Sequence, residues 1–289
     1  MENGYISLET RIQMNRHTLL ESENKVAEYI MGPHQNEIIT QPVAKAAECI
    51  GVSVASIIRF CKKLGLTGYA ELKLQMAKEA GHFEAIGQQN TDSIIDRNMP
   101  LEDLPREIIQ STINGLRDTA SIISTEMLGK AIEAIRNARQ VLLVGVSNSA
   151  VVCKDLHCKL MRLGIVCHVS ADSHEMLTQA NFLSPSDTVI GISHSGLTKD
   201  VVDCLRLANQ KGTTTICISN YLHTPLTEAA KIHLLTGGHE TSFSSETMVS
   251  RISQLAIVDM LYSGLILSDY DRYTGGIEEM NTILADKAY

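Results

Sequence analysis

Hydrophobic positions change their period once along this chain, and the change divides it. Over the first eighty residues they recur at helical spacing. Residues 18–31 (TLLESENKVAEYIM) put Leu19, Val26, Ile30 and Met31 on one stripe. Ser22 is the expected N-cap of that helix, and Gly32-Pro33 is its stop. Pro42–Cys49 reads as a short helix with proline in its first turn. Ile50-Gly51-Val52 is a tight turn in which glycine supplies a positive φ. Ser53 then caps a second helix, SVASIIRFCKKL, whose Val54, Ile57, Ile58 and Cys61 can face inward, and Gly65 closes it. A further helix begins at Gly68-Tyr69.

Residues 80–100 lose periodicity and gain Gly, Gln and Asn, as a linker does. Two helices are expected near 101–123 and 126–138, and then short apolar runs alternate with helical patterns. The runs are Gln140–Val146, Ile165–Val169, Val189–Ile192, Thr214–Ile218 and Ile232–Leu235. Between them lie helical stretches after residue 146 and near 172–183, 199–211 and 225–230, and a long helix at 246–267 ends the series. Strands without polar alternation are buried on both faces, so this half predicts a doubly wound, flavodoxin-like α/β domain with a parallel sheet. The expected organisation is an all-α domain over 1–80, a linker over 81–100 and the α/β domain over 101–289.

Composition changes this picture little. Hydrophobic residues at 44% and charged residues at 20% suit an ordinary globular protein. No apolar run approaches the ~18 residues needed to cross a bilayer, and MENGYISLET lacks the order of a secretory signal. The seven scattered cysteines read as reduced core thiols in a cytoplasmic protein, and packing is favoured over metal for Cys153, His157 and Cys158. Charge is more telling. Residues 1–80 carry nine basic and nine acidic residues, so the net −8 lies wholly in the remainder. Within 53–78, Arg59, Lys62, Lys63, Lys73 and Lys78 stand against Glu71 alone.

A basic, capped helix following a glycine turn is the second half of a helix-turn-helix. Such a helix enters the major groove of double-stranded DNA with its first turn at the base edges. Ser53, Ala55 and Ser56 occupy that turn, Arg59 follows on the polar face, and Lys62 and Lys63 are expected at phosphates.

In the second half, three successive strands end in polar loops: Gly145-Val146-Ser147-Asn148-Ser149, Ser193-His194-Ser195-Gly196-Leu197-Thr198, and Ser219-Asn220. Hydroxyls and backbone N–H groups at a helix N-terminus suit a phosphate, and the rim as a whole suits a phosphorylated, polyhydroxylated ligand. GxGxxG and the P-loop are both lacking, so no cofactor is expected, and no metal. An isomerase would need an acid–base pair; Glu240, Glu246, His194 and His239 are candidates, each with an ordinary loop or dipole role as the alternative.

The loops S-x-S-G-x-T and G-x-x-x-S together resemble the SIS (sugar isomerase) domain. GVSVASIIRFCKKLGLTGYAELK resembles the helix-turn-helix of the RpiR family of bacterial transcriptional regulators, and Ser250–Tyr262 is similar to that family's closing helix. The resemblance implies a phosphosugar-sensing regulator, usually a homodimer or homotetramer, here expected to repress sugar-catabolic genes from a pseudo-palindromic operator. By position it implies sugar-phosphate contacts from Asn148, Ser149, Ser193, Ser195, Thr198 and Glu240. Leu197 replaces a frequent Glu, Ser147 stands where glycine is common, and Ser56 where threonine is usual. A phosphosugar isomerase with a helical assembly domain is the alternative.

Overall fold

Helical stripes in the first part and continuous apolar strands in the second fold as separate units, Met1–Asp96 and Arg97–Tyr289. The computed structural model describes residues 8–32, 38–39, 41–73, 75–76, 99–237 and 249–285. The expected linker therefore lies almost wholly outside the described residues.

The first unit contains α1 (Leu8–Asn15), α2 (Glu21–Met31), α3 (Val43–Ile50) and α4 (Val54–Lys63), with residues 69–73 also helical. Ile12, Val26, Ile30, Ile57, Phe60 and Leu72 are buried together at its centre. Ser22 does not cap α2. A separate 3-10 turn over Arg16–Thr18 precedes it, the helix starts at Glu21, and Leu20 takes the cap position. Leucine offers no acceptor, so the Glu23 carboxylate reaches back and accepts from the Leu20 N–H at 2.8 Å.

The second unit opens with α5 (Leu104–Ile122) and α6 (Thr125–Asn137). Then follow β1 (Val141–Gly145), α7 (Asn148–Arg162), β2 (Cys167–Ser170), α8 (Ser173–Asn181), β3 (Thr188–Ile192), α9 (Lys199–Gln210), β4 (Thr214–Ser219), α10 (Pro225–Ala229) and β5 (Ile232–Leu235). α11 (Val249–Ser268) and α12 (Tyr270–Leu284) complete it. The five strands are all parallel, in the order β2-β1-β3-β4-β5. Alternate residues of β1 serve opposite faces. Val141 and Leu143 pack with α6, α7 and α11, while Leu142 and Val144 pack with α8, α9 and α10. Both faces are thus covered, as a doubly wound sheet requires.

α12 was not legible in the apolar pattern. Gly275-Gly276 weakens its helix propensity, and Tyr273 is its one buried side chain among the described residues. It turns 110° from α11. No single helix among the described residues is long and apolar enough to cross a membrane. The cysteines do not all lie in the core: Cys61, Cys153, Cys204 and Cys217 are buried, Cys167 is half-buried, and Cys49 and Cys158 are exposed. Burial pushes the Cys153 and Cys217 thiols up to about 12.

The start of β3 is tied down by a buried carboxylate. Asp187 accepts from Arg139 Nε at 3.0 Å and Nη2 at 2.9 Å, and from the Ser184 N–H and Oγ at 2.7 Å each. Burial works to raise its pKa, but the Arg139 and Ser184 hydrogen bonds outweigh it and hold the carboxyl below its ordinary value. A depressed folded pKa contributes stability above the unfolded carboxylate value of ~4 and loses it as pH falls through the lower folded value. Asp187→Asn is therefore expected to lower unfolding free energy at pH 7 by about 1–3 kcal/mol, as read by urea denaturation. It should also flatten the acid-side decline expected of the natural chain below pH ~4.

Candidate functional site

The sequence rule that a helix can end on a left-handed residue accounts for the turn of the first unit. Gly51 sits at φ 73°, ψ 37°, and closes α3. Ser53 follows, its Oγ accepting from the Ser56 N–H at 3.1 Å to start α4. Ile57, Phe60 and Cys61 are buried on one side of α4, whereas Ser53, Val54, Ala55, Arg59, Lys62 and Lys63 are exposed.

Four of the six residues expected at DNA, Ser53, Ser56, Arg59 and Lys63, have side-chain partners within the unit. Ser56 is buried, and its hydroxyl lies 2.9 Å from Ser53 Oγ and accepts from Arg59 Nη2 at 3.1 Å. Lys63 donates to the Thr18 carbonyl and, at 2.7 Å, to Glu23 Oε2. Glu23 was missed by sequence reasoning. Its signal was a glutamate three residues after the cap position, the capping-box spacing.

The second constellation lies at the carboxyl ends of β1 and β3. Gly145 and Ile192 are paired in register, so the loops that follow them leave the sheet side by side. This is the switch point, where strand order reverses. From β1 the chain passes through Ser147 into α7, whose first residues are Asn148 and Ser149. From β3 it passes through Ser193, Ser195 and Gly196 to Thr198, the cap position of α9. The first turn of a helix suits an anion through its N–H groups, although in α7 the Ser149 and Ala150 N–H groups already donate to the Val146 and Ser147 carbonyls at 3.1 Å each.

Within the β3 loop, Ser193 Oγ lies 2.9 Å from Thr198 Oγ1 and accepts from the Gly196 N–H at 3.2 Å. Ser195 Oγ accepts from the Leu197 N–H at 3.2 Å. Gly196 has φ 68°, and a Cβ there would fall 2.3 Å from Thr224 Oγ1, so no other residue fits. The Leu226 N–H donates to the Gly196 carbonyl at 3.1 Å, fastening the loop to α10. The His194 carbonyl accepts from the Asn220 N–H at 3.1 Å and from Ser219 Oγ at 3.2 Å. The His194 ring packs edge-on against Tyr221, with centroids 5.4 Å apart.

Ser147, exposed, holds φ 55° and ψ −124°, and His223 holds φ 56°. These two non-glycine residues at positive φ both lie in loops at the carboxyl ends of strands. Glu240, Glu246 and His239 lie outside the described residues. Among the described residues no cluster of three or more His, Cys, Asp or Glu could hold a metal. A groove of about 500 Å³, lined by Lys130, Asn137, Thr188, Thr214 and Lys231, opens at the other end of the sheet and contains none of the expected ligand residues.

Known proteins share both halves. Residues 6–82 match the helix-turn-helix domain of the rpiR family, and residues 134–264 match the SIS domain. An uncharacterized HTH-type transcriptional regulator of Caldanaerobacter subterraneus subsp. tengcongensis is 34% identical over 269 residues, covering 91% of this chain and 92% of that one. YbbH of Bacillus subtilis, also an uncharacterized HTH-type transcriptional regulator, is 29% identical across 93% of each chain. Two solved structures share the fold. Vibrio vulnificus NanR, complexed with ManNAc-6P, has a TM-score of 0.61 and 23% identity over 98% of this chain and 99% of its own. The sugar isomerase domain of an RpiR transcription factor from Sphaerobacter thermophilus has a TM-score of 0.58 and 24% identity, covering 62% of this chain and 99% of its own.

A helix-turn-helix joined to an SIS domain, with relatives named as regulators along nearly its whole length, makes this protein a DNA-binding transcriptional regulator and not an isomerase. The chain belongs to the RpiR family.

The backbone at Ser147 is a test of the loop geometry. Relief of ~1–3 kcal/mol of strain exceeds the ~0.5–1 kcal/mol that glycine adds to the entropy cost of folding. Ser147→Gly is expected to raise the melting temperature of the second unit in calorimetry, and Ser147→Ala to leave it unraised. A glycine variant that melts at or below the natural chain would show the loop to be unstrained.

Proposed function

We propose that this regulator represses sugar-catabolic genes in the cytoplasm and is switched by a sugar phosphate bound at the β1–β3 rim. The observation that carries the reading is the pairing of Gly145 with Ile192, which sets side by side the segments that contain Ser149 and Ser193, Ser195 and Thr198, each leading into a helix. A phosphate dianion is matched by such a set of donors. Asn148 and Glu240 are assigned to the sugar itself. The ManNAc-6P bound by Vibrio vulnificus NanR, a protein of the same fold, supports this ligand class.

On the DNA side, Ser53, Ala55 and Arg59 are assigned to the major groove, with Lys62 and Lys63 toward phosphates, while Ser56, buried beneath Arg59, cannot reach the base edge expected of it. The working organisation is DNA binding by 1–80, a linker over 81–100, and effector binding by 101–289, in a homodimer or homotetramer on a two-fold operator. Effector and operator binding are coupled only if the effector favours one conformation. A hydrogen-bonded chain suits that task. The His194 carbonyl takes the Asn220 N–H, Asn220 Oδ1 takes the Thr236 hydroxyl at 2.9 Å, and the neighbouring Gly237 N–H donates to Thr119 Oγ1 at 2.9 Å. Thr119 belongs to α5, the first helix described beyond the linker. Coupling through such networks is typically ~1–3 kcal/mol.

The test is a mobility shift on the promoter of the protein's own neighbouring genes at fixed salt, with a panel of sugar phosphates. One sugar phosphate is expected to release the specific complex. Ser195→Ala should raise the concentration required by roughly tenfold while leaving operator affinity in its absence unchanged. A specific complex indifferent to every sugar phosphate, or a Ser195→Ala variant with the natural dose response, would overturn the effector assignment.

A further inference from the structure

Two cations of α4 share one carboxylate that comes from another helix. Glu23 of α2 is fully buried, and a carboxylate persists in such a place only when paired and hydrogen-bonded. Its Oε2 is spent on the Leu20 N–H at 2.8 Å and on Lys63 Nζ at 2.7 Å. Its Oε1 makes no hydrogen bond and faces Arg59 Nε at 3.6 Å. Burial works to raise the pKa of Glu23. The Leu20 N–H, Lys63 and Arg59 together outweigh it, and the net shift is downward, so the group is an anion at neutral pH.

A second anchor acts from α4 itself. The buried Ser56 hydroxyl accepts from Arg59 Nη2 at 3.1 Å. A guanidinium carries five N–H bonds in a rigid fork. With Nε turned to Glu23 and one Nη2 hydrogen given to Ser56, three remain, on a side chain that is 53% exposed. Two such N–H groups suffice for the bidentate grip that guanine O6 and N7 accept. A free arginine must give up many rotamers to make that grip, whereas one held from behind on two sides gives up few.

We propose that Glu23 and Ser56 are positioning residues for DNA reading, which together hold the Arg59 guanidinium on the outer face of α4 with its unspent N–H groups presented to a guanine. The proposal rests on the assignment of Arg59 to the major groove. Lys63 completes the arrangement by neutralising Oε2, so that Oε1 is free for Arg59.

A double-mutant cycle on the full-length chain tests it. The probe is the duplex that the natural chain enriches from random DNA, and binding is read by fluorescence anisotropy at one salt concentration. Glu23→Gln is expected to weaken binding about tenfold in the natural background and to add almost nothing to Arg59→Ala. A purely structural glutamate would weaken binding by the same factor in both backgrounds, and that result overturns the proposal. Natural affinity in Arg59→Ala overturns the assignment of Arg59 itself, and the proposal with it. Melting curves accompany each variant. If Glu23→Gln unfolds at the assay temperature, the same cycle is run with Ser56→Ala. That variant keeps the backbone N–H that Ser53 caps, and equal losses with and without Arg59 would overturn the proposal there.

Discussion

Parallel strands cannot be joined by a tight turn, so each must hand the chain to a crossover helix before the next begins. The pairing of β1 with β3 is the point at which that constraint becomes a site. β2 lies to one side of β1 and β3 to the other. The helices that follow β1 and β3 therefore lie on opposite faces, and in such sheets ligands bind in the crevice between their starts. All else in the second unit supports this arrangement. The Asp187–Arg139 pair fixes the beginning of β3, and Thr224 and Leu226 fix the loop at its end.

Much of this was legible in the sequence because the relevant signals are local. Largely apolar runs of four to seven residues marked the five strands within a residue or two, and Gly51 followed by Ser53 marked the turn into α4. What was not legible depends on atoms far apart in the chain. Ser22 looked like a cap because hydroxyls usually are; the preceding 3-10 turn moved the helix start, and a glutamate took the task. α12 was missed because its two glycines and single buried tyrosine give no stripe. The engagement of Lys63 depends on Glu23, more than thirty residues earlier. At the rim, the motif named the hydroxyls, but only the backbone shows that Ser147 occupies a conformation glycine would hold with less strain.

The two halves differ in how they manage charge. In the second unit the buried carboxylate Asp187 lies at the start of β3, away from the polar rim, and its role is to anchor a strand. In the first unit the buried carboxylate Glu23 lies directly beneath the basic face of α4. A surface that must meet phosphates repels itself when unbound, and an anion inside the fold relieves that repulsion without facing the partner. Lys62, exposed on the same helix, carries its charge to the surface directly.

The distribution of thiols has a practical consequence. Cys61, Cys153, Cys204 and Cys217 are sealed in the core, and burial pushes Cys167 up to about 11, far from the thiolate form that reacts. Cys49 and Cys158 are exposed, one on α3 and the other on α7. Each unit of the chain thus bears its own natural attachment point for a maleimide dye. A donor and an acceptor placed there would report, by energy transfer, how the separation of the two units responds when operator or effector is added, with no engineered cysteine and no change to the residues that do the binding.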